Sequence, residues 1–83
     1  MTYQEIEVKD RKSFSEFLGL LLDDLKTNPD KWENKQLDTF IEAMQSYSED
    51  IDGYYINVHP DLNADLPTWR IFADILRGAV IYE

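Results

Sequence analysis

The residue types that most often carry chemistry are scarce in this sequence. It holds one histidine, His59, and no cysteine. A histidine acts as a general base only beside a positioned nucleophile or acid, and a zinc site needs three or four Cys, His or carboxylate ligands. We therefore interpret His59 as an exposed loop residue before Pro60 and predict neither catalytic residues nor a metal site. The protein is expected not to be an enzyme and to need no cofactor.

Two carboxylate patterns could bind calcium or perform acid–base chemistry, and neither is complete. Residues 50–53, Asp-Ile-Asp-Gly, resemble the start of a calcium loop, but the glycine comes two residues too early and Asp61 stands where a glutamate should close the loop. The carboxylate pairs at residues 23–24 and 49–50 are adjacent in sequence, and adjacent helical residues do not face each other. These patterns indicate a helix end and solvated helix faces.

Acidic residues are concentrated in one stretch of the chain. Residues 36–69 run for 34 residues without a lysine or arginine. The negative field of such a stretch attracts basic proteins and repels nucleic-acid backbones and anionic lipid surfaces. A basic protein is therefore the expected partner, whereas no nucleic acid and no membrane is expected. The stretch carries seven carboxylates: Asp38, Glu42, Glu49, Asp50, Asp52, Asp61 and Asp65.

Two consecutive tyrosines stand beside these carboxylates. Residues 54–58 have β propensity, and consecutive side chains of an extended segment point to opposite sides, so one of Tyr54 and Tyr55 is predicted to be exposed. Exposed tyrosine is typical of interface anchors. A solvated face that keeps a small protein soluble would use the same residues, and that alternative stays open. The candidate partner-binding residues are Asp38, Glu42, Glu49, Asp50, Asp52, Tyr54 and Tyr55.

The composition predicts one folded domain over residues 1–83. The chain is 43% hydrophobic and 13% aromatic, which suffices for a core and argues against disorder despite a net charge of −9. Without cysteine the domain must be held by packing, which suits a reducing compartment. The first residues show no signal peptide, and the apolar runs are too short to span a membrane. The expected location is the cytoplasm.

Two patterns describe the first third of the chain. Residues 5–9 alternate charged and apolar side chains, which predicts a short N-terminal strand or extended arm. Ser13 and Glu16 have the spacing of a capping box, and the apolar residues that follow predict a helix over residues 14–26. Leu20 lies off the apolar stripe of this helix, so something must cover it.

A second helix start follows the first helix at once. Asn28 suits an N-cap, and Pro29 suits the first helical position. Only a short helical turn at residues 29–33, which holds Trp32, fits before the next element.

The most regular apolar stripe of the chain predicts a helix over residues 37–50. Gly53 is placed to end this helix. The side opposite the stripe carries Asp38, Glu42 and Glu49 at i, i+4 and i+11. The residues expected to face the core are Leu37, Phe40, Ile41, Met44, Tyr47 and Ile51.

The last helix is predicted over residues 69–78, with Thr68 as its cap. Its apolar positions span more than half of the circumference, so it should be the central element, packed by both other helices. The expected fold is mainly α, a compact bundle of three helices (residues 14–26, 37–50 and 69–78). A short helical turn near residues 29–33 and a short N-terminal strand complete the prediction.

Several of these segments together form a recognisable pattern. Its most specific part is an Asn-Pro-x-x-Trp-Glu-Asn element at residues 28–34, and the pattern continues at residues 37, 40–43, 52–55, 69, 72–76, 79 and 82–83. From residue 14 to the C-terminus, the chain resembles a family of small acidic bacterial proteins of unknown function. The resemblance implies a bacterial source and a stand-alone domain, and it carries no activity and no catalytic residues.

Three functions follow from these observations. The first is a protein-binding module that docks a basic partner on its acidic residues, and its sharpest version is an immunity-type inhibitor of a basic nuclease toxin. The second is a structural or regulatory domain that self-associates as a homodimer, with another copy covering Leu20 and the broad face of the last helix. The third, an enzyme, is not expected, because no nucleophile–base pair or metal-ligand set is visible.

Overall fold

Three α-helices form this protein in a computed structural model, which describes residues 1–82. The predicted fold class is confirmed, including the short helical turn near residues 29–33. Among the described residues, none of the helices combines the length and apolar character that crossing a membrane requires. The elements are, in chain order, α1 (Arg11–Thr27), a 3-10 helix (Pro29–Lys31), α2 (Leu37–Val58) and α3 (Trp69–Ala79).

Helix α1 begins earlier than predicted, because its N-cap is Asp10. The Asp10 carboxylate accepts from the Ser13 backbone N–H at 2.8 Å, and the Ser13 hydroxyl oxygen accepts from the Asp10 backbone N–H at 3.1 Å. This reciprocal box satisfies amide groups that the helix start leaves free. The predicted box between Ser13 and Glu16 is wrong: aspartate caps a helix as well as serine does, and here it lets the helix begin at Arg11.

The N-terminal residues form a packed arm without strand pairing. Within residues 1–82 there is no strand, so the predicted N-terminal strand is wrong. Ile6 and Val8 are nevertheless buried in the core. The Arg77 guanidinium donates to the Tyr3 carbonyl at 3.0 Å and to the Ile6 carbonyl at 2.6 Å. The alternation in residues 5–9 thus reflects which side chains are buried. Arg77 satisfies the backbone carbonyls that a neighbouring strand would otherwise bind.

Helix α2 continues about two turns beyond its predicted end at residue 50. Gly53 does not end it, and no glycine of the described residues has a positive φ. Ile51 and Tyr55 lie one turn apart on the same face, and both are buried beside Ile71. Tertiary packing therefore outweighs the modest helix propensity of this segment.

Helix α3 is the central element, as predicted. It packs against both α1 and α2, whereas within residues 1–82 α1 and α2 do not pack against each other. Ala73 and Val80 are buried in the same cluster as residues of α1, and Ile71 is buried in the same cluster as residues of α2. Leu20 packs half-buried on the first of these clusters, so its cover comes from within the chain.

Trp32 fills the angle between the end of α1 and the start of α2. Its indole Nε1–H donates to Asp24 Oδ2 at 2.8 Å, and its ring stacks on Phe40 with 5.8 Å between centroids. The 3-10 helix that precedes it begins at Pro29, which has the fixed φ that a helix start needs. Trp32 thus joins the two helices at one end and leaves them apart along the rest of their length.

Candidate functional site

Three of the predicted carboxylates form an exposed stripe on α2. Asp38, Glu42 and Glu49 are exposed, and at about 100° per residue they lie within about 40° of one another around the helix axis. The buried residues Ala43 and Ile51 lie on the other side of the helix. We call Asp38, Glu42 and Glu49 the acidic stripe.

The acidic stripe is not neutralised by ion pairs within residues 1–82. Residues 36–69 contain no lysine or arginine, and within residues 1–82 the ion pairs are Arg70–Asp74 and Arg77–Asp74. Asp38 lies in the first turn of α2, where the positive end of the helix dipole stabilises a carboxylate. The negative field of the stripe therefore extends into solvent.

Added salt should raise the melting temperature of this protein. Seven carboxylates in residues 36–69 repel one another, and salt screens this repulsion as the Debye length falls to about 8 Å at about 0.15 M. We expect a rise of a few degrees up to about 0.3 M sodium chloride, measured by circular dichroism. The rise should be smaller in the triple variant Asp38→Asn/Glu42→Gln/Glu49→Gln, and a flat or falling trend in the wild type would contradict this expectation.

Asp50 and Asp52 differ in their relation to the acidic stripe. Asp52 is exposed about one turn after Glu49 and extends the stripe. Asp50 lies about 100° round the helix from Glu49 and accepts a hydrogen bond from the Tyr82 hydroxyl. This hydrogen bond raises the pKa of Tyr82. Asp50 therefore holds Tyr82 and does not add to the stripe.

The two candidate tyrosines lie on different sides of α2. Because α2 includes residues 54–58, the tyrosines are helical neighbours and not alternating strand residues. Tyr54 is 43% exposed and Tyr55 is 2% exposed. The prediction that Tyr55 binds a partner is wrong, because it lies in the core one turn after Ile51. Tyr54 lies about 120–160° round the helix from the acidic stripe, where its ring contacts His59.

Asp74 joins α3 to α2 through a polar cluster. Its carboxylate accepts from the Tyr55 hydroxyl at 2.5 Å, from Arg77 Nη1 at 2.7 Å and from Arg70 Nε at 3.3 Å. Arg70 also reaches His59, with 3.4 Å between Nη2 and Nε2. The Asp74 side chain is only 12% exposed. We call Asp74, Tyr55, Arg70 and Arg77 the Asp74 cluster.

The Asp74 cluster holds its side chains in fixed positions through hydrogen bonds. Burial, and next the hydrogen bond to Asp74, raise the pKa of Tyr55. A carboxylate that accepts from three donors is not free to take a proton from a substrate. His59 follows α2 as the predicted loop residue, and its backbone N–H donates to the Tyr55 carbonyl at 2.8 Å. It is half-buried, so the prediction that it is exposed is wrong. Within residues 1–82, no group of three or more His, Cys, Asp or Glu is placed to hold a metal ion.

No sequence pattern predicted an open apolar groove between α1 and the start of α2. Its volume is about 320 Å³. Leu37 at its rim is 76% exposed and Leu22 is 50% exposed, and Ile41, one turn after Leu37, is 54% exposed. We call this feature the α1–α2 groove. Its apolar lining is Leu18, Leu21, Leu22, Leu25, Trp32, Leu37 and Phe40.

The prediction that Leu37 and Ile41 face the core is wrong for a physical reason. A helical period shows that apolar residues share a face, but it does not show which neighbour covers that face. Within the described residues α1 makes no close backbone approach to α2, so Leu37 and Ile41 lack a cover, whereas Phe40 packs on Trp32. The signal was present in α1, where Leu18 and Leu22 extend the apolar surface beyond the buried Leu21.

Comparison with known proteins adds a family and no function. A family of unknown function (DUF7660) matches residues 10–83. The match begins at the N-cap Asp10 and so covers all three helices. No curated protein and no solved structure matches the chain.

Proposed function

Because the chain belongs to this family of unknown function (DUF7660), we propose its function from its surface: it is a protein-binding module that docks a basic protein on the acidic stripe. One observation carries the proposal. Asp38, Glu42 and Glu49 share one exposed face of α2 and form no ion pair within residues 1–82. A bacterial source and a cytoplasmic location belong to the same proposal and rest on the sequence alone.

The acidic stripe suits fast recognition of a partner of opposite charge. Complementary charges steer encounter and raise association rates, while affinity comes from apolar anchors beside them. The structure offers such an anchor in Ile56, which is 70% exposed and lies within about 40° of the stripe around α2. Tyr54, one of the two tyrosines that the sequence offered as an anchor, is on another side of the helix and takes no part in this proposal.

A basic nuclease is the sharpest version of the proposed partner. A nuclease must carry a basic surface to hold phosphates, and a row of carboxylates on a rigid helix could cover that surface as an immunity-type inhibitor does. We propose that the chain itself binds and does not catalyse. Asp74, the carboxylate with the most hydrogen bonds described above, already accepts from three donors and is therefore not free to act as a base.

Association kinetics test the acidic stripe directly. A partner captured from a lysate of the source organism would be purified and measured against the wild type and against Asp38→Asn/Glu42→Gln/Glu49→Gln. We expect the triple variant to associate about tenfold more slowly and with a flatter salt dependence. Its dissociation rate should change less than its association rate.

A matched variant separates the stripe from net charge. Glu7→Gln/Glu16→Gln/Asp23→Asn removes the same three charges from exposed residues outside α2. It should associate at nearly the wild-type rate. If both triple variants slow association equally, only the total charge matters and the acidic stripe is not the site.

A second candidate function is self-association through the exposed aromatic side chains of α3. Trp69 is 37% exposed and Phe72 is 41% exposed, and the Trp69 ring lies 5.5 Å from the ring of Phe14 and 5.9 Å from that of Phe72 between centroids. Leu20 gives no support to this candidate, since its own core covers it. A homodimer that Phe72→Ser dissociates in sedimentation velocity would support it, and a monomer at about 100 μM would rule out any useful affinity.

A further inference from the structure

The α1–α2 groove has an apolar floor and an open top. Trp32 and Phe40 stack with 5.8 Å between ring centroids, Leu22 lines the wall on α1, and Leu37 lines the wall on α2. Contiguous apolar side chains exposed on a small protein mark interaction sites, whereas scattered ones need no explanation. Trp32 fills the space between the helices at one end, and beyond it no side chain of residues 1–82 fills the groove.

The two walls of the groove differ in charge. The acidic stripe lies beyond the α2 wall, because Asp38 and Glu42 are each about 100° round the helix from the apolar residue that precedes them. On α1, Lys26 lies one turn after Leu22 on the same side of the helix, and Lys35 lines the groove between the helices. An occupant therefore meets Lys35 in the groove itself and reaches the carboxylates of the acidic stripe only beyond the α2 wall.

We propose that the α1–α2 groove seats an amphipathic helix of the partner protein, with its apolar face on the groove and its basic edge on the acidic stripe. The proposal rests on the proposed function, since the basic edge is what the stripe would bind. Residues 18–25 of α1 span about 10 Å, or two turns, which matches anchors at i, i+3 or i+4, and i+7 of a bound helix. A helix also satisfies its own backbone hydrogen bonds, so it enters an apolar groove without unpaired polar groups.

Charge selects this occupant over a second copy of the chain. Each copy carries a net charge of −9, and contact between two α1–α2 grooves would bring two acidic stripes along one seam. An anionic lipid surface would meet the same carboxylates. A basic amphipathic helix covers the apolar side chains and neutralises Asp38 and Glu42 in one contact.

Designed peptides test the groove without knowledge of the natural partner. The probe is a helical peptide of about five turns, with leucines at i, i+3, i+4 and i+7 and lysines along one edge. Its control has the same composition, with the leucines permuted so that no apolar face remains. We expect the amphipathic peptide to bind at least about tenfold more tightly. In NMR it should shift the indole N–H signal of Trp32, which lines the groove, and leave that of Trp69 in place.

Single substitutions locate the peptide on the protein. Leu22→Gln on α1 and Leu37→Gln on α2 should each weaken binding about fivefold or more. The matched control is Val58→Gln, which changes a half-exposed apolar residue of α2 outside both the groove and the acidic stripe and should leave affinity unchanged. All three side chains are at least half exposed, so the variants should fold with wild-type helix content.

The outcomes separate the groove from the acidic stripe. If Leu22→Gln and Leu37→Gln bind like the wild type while Asp38→Asn/Glu42→Gln/Glu49→Gln does not, the stripe keeps its function and the groove proposal is overturned. If the groove variants lose affinity and the acidic variant does not, the groove binds apolar segments without regard to charge, and the proposed function fails. Equal binding of the two peptides, or a dimer that Leu22→Gln dissociates, also overturns the proposal.

Discussion

Replacing Asp74 with asparagine should lower the free energy of unfolding by about 2–4 kcal/mol. Asp74 is 12% exposed and accepts from Tyr55, Arg70 and Arg77 at once. Removing one partner of a buried ion pair costs about 3–5 kcal/mol, and the exposure of Arg70 reduces this cost through solvent screening. The asparagine would also place an amide N–H₂ against donors, which leaves hydrogen bonds unmade. Urea denaturation of wild type and variant measures the difference.

Two other variants show whether the loss comes from the Asp74 cluster. Asp38→Asn makes the same chemical change at an exposed carboxylate outside any ion pair of the described residues, so it should stay within about 0.5 kcal/mol of the wild type. Tyr55→Phe removes one hydroxyl and should cost about 1 kcal/mol. If Asp74→Asn costs no more than Asp38→Asn, the cluster does not stabilise the fold.

The Asp74 cluster also explains how α2 presents its outer face. Tyr55 ties the buried side of α2 to α3, while Arg77 ties α3 to the carbonyls of Tyr3 and Ile6 in the N-terminal arm. One carboxylate thus links three segments. The acidic stripe stands on the opposite side of the helix that this link holds, so its carboxylates have a fixed spacing.

The sequence predicted the elements better than their ends. Asn28 and Pro29 correctly predicted the 3-10 helix. The wide apolar surface of α3 correctly predicted that this helix is the central one. The end of α2 was not predictable locally, because Gly53 and the β propensity of residues 54–58 both argue for a stop. The helix continues to Val58 because Ile51 and Tyr55 are buried against α3. That contact forms only in the folded protein, so the local sequence does not reveal it.

The parts of the candidate site that depend on the spacing of charged residues were predictable from the sequence. The parts that depend on how the helices pack were not. Asp38, Glu42 and Glu49 share a face by helical spacing alone, which any helix over residues 37–50 would produce. The burial of Tyr55 could not be predicted, because residues 54–58 have the β propensity of an extended segment and not the pattern of a helix. The α1–α2 groove depends on two helices failing to meet, and periodicity within either helix contains no information about that distance.

The Gly78→Ala variant should be less stable than the wild type by about 1–2 kcal/mol. A Cβ at Gly78 would lie 2.6 Å from Tyr47 Cζ and closer still to Cδ2 and Cε2, so the whole ring must move. The ring has little room, because its neighbour Tyr82 lies 5.1 Å away between centroids. Overpacking costs about 1–3 kcal/mol, whereas alanine gains about 1 kcal/mol over glycine in a helix interior. The steric cost wins, and urea denaturation should show it.

Replacing either of the other two glycines with alanine should change stability in the opposite direction. These variants therefore test whether the contact with Tyr47 causes the loss at Gly78. Gly19 in α1 and Gly53 in α2 have nothing within 4 Å of a built Cβ, so Gly19→Ala and Gly53→Ala should each stabilise the protein by about 0.5–1 kcal/mol. In a Tyr47→Ala background, Gly78→Ala should become stabilising as well, because the ring that it strikes is gone. If Gly78→Ala stabilises the wild type as much as Gly19→Ala does, then α2 and α3 do not approach as closely as Tyr47 and Gly78 indicate.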